Sequence, residues 1–158
     1  MKLGQWFEHW GMKELKINLG VLETTWNPQD FDRDAAWELY IELLTRITTQ
    51  PLAEEHGDEK TALKSVFDLF GITRTILKRH GKYCTLFAKV AIPVLNQVVR
   101  PFTAKWHRLS LQHKFDDPAV CAAFRVELAA LQHRLRVYTR ALANMAGVED
   151  LTTLEETG

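Results

Sequence analysis

The stretch RPFTAKWHRLS, residues 100–110, gathers Arg100, Lys105, His107 and Arg108 around the rings of Phe102 and Trp106, with no carboxylate among them. Arginine forks grip phosphate oxygens with paired hydrogen bonds, and lysine adds a mobile point charge. Aromatic faces stack on nucleobases, at about 1–3 kcal/mol per base. Thr103 supplies a hydroxyl for a ribose or a base edge. A second polar cluster, LTRITTQP, places Arg46, Thr48, Thr49 and Gln50 at the end of an apolar-periodic run. Together these residue types fit an anionic, base-bearing ligand. The plain alternative is a core tryptophan flanked by a solvated basic helix face.

The local pattern belongs to a longer one. From Leu69 to Phe115 there is no Asp or Glu, while Arg74, Lys78, Arg79, Lys82, Lys89, Arg100, Lys105, Arg108 and Lys114 all lie there with three histidines. The acids gather before Asp68 and after Asp116, so a formal net charge of zero hides a sharp division. Such division suits either a local site for a small polyanion or a basic face that meets the acidic face of another copy. A neutral total argues against non-specific binding along a long nucleic acid, which relies on a broad basic surface. The receptor reading therefore requires the acid-free middle to converge on one positive hollow.

The elements that must position these groups are mostly helical. With 158 residues, 46% of them hydrophobic, the chain suffices for one domain with a core. Residues 30–51 begin with several candidate capping aspartates, share an apolar face at Ala36, Tyr40, Leu43, Leu44 and Ile47, and are expected to end at Pro51. A helix starting near Asp58 is expected to break or kink at Gly71 and to resume as far as Gly81. Residues 83–99 read as a helix bent by Pro93, and Pro101 begins a re-angled helix to about Leu111. The clearest element follows Asp117 and Pro118, with Gly147 past its end. Its Cys121, Phe124, Leu128, Leu131, Leu135, Tyr138, Leu142 and Met145 form a heptad seam. The expectation is an all-α antiparallel bundle over 30–147, an extended arm over 1–29, and a frayed acidic tail over 148–158.

In the arm, Leu15, Ile17, Leu19 and Val21 alternate with polar residues or glycine, a strand period in want of a pairing partner. Trp6, Phe7 and Trp10 stand near Lys2 and Lys13, as at a membrane interface, or else dock on the domain or on a neighbouring subunit. Cys84 and Cys121 read as thiols of a reducing compartment, with one disulfide left open.

No phosphate-loop, dinucleotide-binding, zinc-protease or paired C-x-x-C motif occurs. The cluster EEHGDE, residues 54–59, reads as a solvated loop rather than a metal site, and no cofactor is expected. The segment RTILKRH, Arg74 to His80, resembles the Arg–five residues–His spacing of the HEPN ribonucleases, small helical enzymes of prokaryotic defence that act without metal; Thr75 stands where that family favours a more polar residue.

DRDAAWELYIELLTRITTQP, GDEKTAL and VLNQVVRPFTAKWHRLS together resemble the soluble C-terminal domain of membrane-anchored accessory effectors of type III CRISPR systems. The resemblance covers nearly the whole chain. It implies a non-enzymatic cytoplasmic domain of an inner-membrane protein that binds cyclic tetra-adenylate, works as a homo-oligomer, and signals to a membrane part upstream. The resemblance speaks to the ligand class; on the residue types themselves, Arg100, Lys105, Arg108 and either Arg46 or Arg74 are expected to hold phosphates, Trp106 and His107 to contact bases or ribose, and Thr49, Gln50 and Thr103 to orient the ligand. The metal-free ribonuclease and a scaffold that oligomerises through its long helix are the alternatives.

Overall fold

The computed structural model describes residues 27–55 and 57–152, together with Gln5 and Glu8. The strand expected over 14–21, the rings of Trp6, Phe7 and Trp10, and the tail beyond Thr152 lie outside the described residues. What is described is an all-α bundle.

Helix α1 (Asp30–Leu44) starts with a capping box: the Gln29 backbone N–H donates to Asp32 Oδ2 at 2.9 Å. Asp32 has a second task. Its Oδ1 accepts from the backbone N–H of Phe87 at 2.9 Å, which caps another helix from α1. One buried carboxylate thus starts two helices. The C-terminus of α1 departs from expectation, ending at Leu44 rather than Pro51. Side chains take over the last carbonyls: Thr45 donates to Ile41, Thr48 and Thr49 both donate to Leu43, and Gln50 donates to Leu44. A hydroxyl that satisfies a helix carbonyl competes with the next helical N–H, so the threonine cluster stops the helix.

Helix α2 (Glu59–His80) is capped by Asp58, whose side chain accepts from the Thr61 N–H. It runs through Gly71 without interruption, contrary to the expected break, and ends at Gly81 with φ +68°. After a single 3₁₀ turn, α3 (Thr85–Val94) continues through Pro93 into a π-helical turn, Leu95–Val99, and then α4 (Arg100–Leu111). The π turn has a local cause. Pro101 has no N–H to return to the carbonyl four residues back. The ladder lengthens instead, and the Arg100 N–H donates to the Leu95 carbonyl. Helix α5 (Pro118–Ala146) has Asp117 as its N-cap and Gly147 in the left-handed conformation after its end.

Helix α1 is the hub. It runs antiparallel to α5 on one side and to α2 on another, with α3 packed across its start. The seam residues Phe124, Leu128, Leu131, Leu135, Tyr138, Leu142 and Met145 are buried as the heptads require, and Cys121 is half-buried at the margin. Both cysteines are free thiols. Burial pushes the Cys84 thiol up, and the nearby Asp32 charge adds to this. Tyr138 is buried and its hydroxyl has no hydrogen-bond partner among the described residues. The start of the acidic tail is held, not frayed: the Leu151 N–H donates to the Tyr40 hydroxyl at 2.8 Å, and Arg140 pairs with Asp150. Among the described residues no helix is long and apolar enough to cross a membrane.

Candidate functional site

Helix α4 turns one face to α5 and another to α2, and this divides the basic segment. Toward α5, Trp106 is 2% exposed and packs edge-on to Phe124 at 5.1 Å and parallel to Phe115 at 5.9 Å. Its Nε1 donates to Glu127 Oε2 at 2.8 Å, and Lys105 bonds the other Glu127 oxygen. Burial raises the Glu127 carboxyl, but the bonds from Lys105 and Trp106 outweigh it and leave the group below its ordinary range. Trp106 is thus part of the core rather than a platform open to bases, and Lys105 is spent on an acid from 22 residues further along the chain. Thr103 is buried and donates to the Arg100 carbonyl.

The LTRITTQP cluster is used up as well. Thr49 and Gln50 satisfy α1 carbonyls. Arg46 pairs with Glu42 at 2.9 Å and reaches Asp68 at 3.9 Å. The whole loop is then clasped from α5. The Gln132 amide donates to the Ile47 and Gln50 carbonyls at 2.7 Å, and Arg136 donates to Thr49. Arg125 donates to Ala53, Gly57 and Glu59. Asp58 and Glu59 of the EEHGDE cluster therefore serve a cap and this clasp, while His56 lies outside the described residues. These clasping residues carry no signal in the sequence beyond sitting a turn or two apart beside the apolar seam.

Toward α2 the picture differs. Arg100 lies over the Phe70 ring at 4.6 Å, and its Nε and Nη2 donate to Asn96 Oδ1 at 3.1 Å. Two turns on, the His107 ring meets the edge of Phe67 at 4.9 Å, and Phe67 is 48% exposed. His107 Nε2 is buried and has no hydrogen-bond partner among the described residues. This α2–α4 seam joins a fixed cation, an amide, an imidazole and an open aromatic ring. Among the described residues Arg74, Lys78, Lys82, Lys89, Arg100, Arg108 and Lys114 have no acidic partner. The acid-free segment thus stays largely unneutralised by the rest of the fold, as its composition suggests. It does not close into one hollow: of the ten residues read as a site, only Arg100 and His107 share the seam, and Arg74 and Arg108 stand exposed on α2 and α4.

Arg74 and His80 do not face one another either. They leave α2 roughly 120° apart. His80 Nε2 lies 2.7 Å from Glu38 Oε1, and Arg79 bonds the same carboxylate.

A concavity of about 650 Å³ lies between α1 and α2, and a smaller one of about 320 Å³ lies between α4 and α5 beside Lys105 and Glu127. Trp37, Ile41 and Ile72 form the apolar part of the larger one, and Glu38, Glu42 and Asp68 outnumber Arg46 and Arg79 among its charged lining. That balance disfavours a polyphosphate there. Comparison with protein families, with curated proteins and with solved structures finds no match for this chain.

Proposed function

The single positive hollow does not form, and in its place we propose a narrower reading: this domain is a non-enzymatic receptor for a small cyclic oligoadenylate, which binds along the open α2–α4 seam where Arg100 and His107 lie and is read out through the assembly of several copies. The observation that carries the reading is Arg100: its guanidinium sits over the Phe70 ring, is held by Asn96, and is balanced by no carboxylate among the described residues. An arginine fixed in this way loses little freedom when it meets a phosphate. Arg100 and His107 are seven residues apart on α4, about 10 Å along the axis, a span that suits neighbouring nucleotides of a small ring. Phe67 offers an exposed face to an adenine. The resemblance to the type III CRISPR effector domains supports the same ligand class and adds the expected context, antiviral signalling to a membrane part upstream. Arg46, Thr49, Gln50, Thr103, Lys105 and Trp106 act in this reading as the frame behind the seam.

Calorimetric titration with cyclic tetra-adenylate tests the proposal, with linear tetra-adenylate as the control. Saturable binding that Arg100→Ala weakens at least tenfold is the expected result. Absence of heat, or affinity indifferent to Arg100, would discard it.

A further inference from the structure

We propose that the exposed ridge of α2 centred on Gly71 is a contact between two copies of this chain, crossed antiparallel about a two-fold axis. The inference does not rest on the ligand reading.

Gly71 is the starting point. It sits in the interior of a 22-residue helix, where glycine is a poorer choice than alanine. The fold does not explain it. Its φ is not positive, and among the described residues a Cβ built there meets nothing within 4 Å. The residue leaves a notch on an open ridge, and a notch in mid-helix lets another helix approach closely. Apolar surface stands beside it: Trp37 is 45% exposed and Ile41 37%. Trp37 and Ile41 form the wall of the groove that Gly71 also lines.

The charges say what covers it. Asp68 lies three residues before Gly71, and Arg74 three residues after it. Two copies of α2 crossed antiparallel at Gly71 bring Arg74 of each opposite Asp68 of the other. Arg74 has no acidic partner among the described residues, and the groove that Gly71 and Thr75 line carries one more carboxylate than cation. Asp68 also holds Lys64 of its own copy at 3.1 Å and lies 3.9 Å from Arg46, so the other copy's Arg74 joins a network around this carboxylate, while Lys78 comes opposite Lys64. A self-complementary patch with equal offsets on either side of a notch is what a two-fold contact requires. An unrelated partner would not need the matching pair to lie on one helix.

Sedimentation equilibrium of the whole chain without nucleotide, across a dilution series, is the test. A dimer is expected. Gly71→Gln should raise its dissociation constant at least tenfold while the melting temperature of the dissociated chain stays level or rises, because glutamine is the better helix former. Arg74→Asp should weaken the dimer to a similar degree, and adding Asp68→Arg to it should restore association. A wild-type chain that stays monomeric throughout overturns the proposal, as does association that Gly71→Gln leaves unchanged. Failure of the ligand reading would show instead at Arg100, which this contact does not use.

Discussion

Two sets of basic residues in this molecule have opposite fates. On α5, Arg125 and Arg136, with Gln132 between them, spend their donors on carbonyls of the 46–57 loop and on Glu59. On α2 to α4, Arg74, Lys78, Arg100 and Arg108 have no acidic partner among the described residues. The first set is embedded in backbone and holds the fold. The second is carried by a helical frame that does not need its charge. Charge that a fold does not consume is what remains for a partner or a ligand.

That contrast runs through RPFTAKWHRLS itself, and substitutions there break it most sharply. Trp106→Ala should cost about 4 kcal/mol of unfolding free energy in urea titration, through a cavity beside Phe124 and the loss of one of the two bonds that hold Glu127. Arg125→Ala should cost about 2–3 kcal/mol, since it frees two carbonyls and a half-buried Glu59. Tyr138→Phe should gain about 1 kcal/mol by removing an unpartnered buried hydroxyl. Burial pushes the Tyr138 hydroxyl far above its ordinary value of 10.0. The tyrosine's contribution is therefore complete below pH 10, where the unfolded chain keeps its proton, and is lost as the pH climbs above that toward the folded value. Stability measured from pH 8 to pH 11 should accordingly fall less steeply for the Phe variant. Smallest of all, Arg100→Ala should change the unfolding free energy by no more than about 0.5 kcal/mol. A large loss there would move Arg100 into the structural set and erase the contrast.

The sequence makes periodicity legible and partners illegible. Helix α5 is readable from Asp117 to Gly147 because its caps and its seam are local signals, and the buried seam follows them. The end of α1 is not, because Thr48, Thr49 and Gln50 look equally suited to a ribose or to a helix carbonyl, and only the turn after Leu44 decides. Gly71 is read as a break because propensity disfavours it, yet the flanking turns carry the helix through. Trp106 and Lys105 appear available until Glu127, a full helix further on, closes over both. The unneutralised charge of the middle segment is legible from the absence of acids. Its division between two faces depends on helix contacts that no spacing encodes.

The π turn at Leu95–Val99 sets the phase of everything after it. One surplus residue lets α3 keep Phe87 and Val90 against the hub while α4 presents Trp106 inward and Arg100 to α2. Deleting a single residue from that turn would spin α4 by about 100° relative to α3. The tryptophan would be thrown out to solvent and the guanidinium parted from its ring, so the geometry of the basic face hangs on the tally of residues before Pro101.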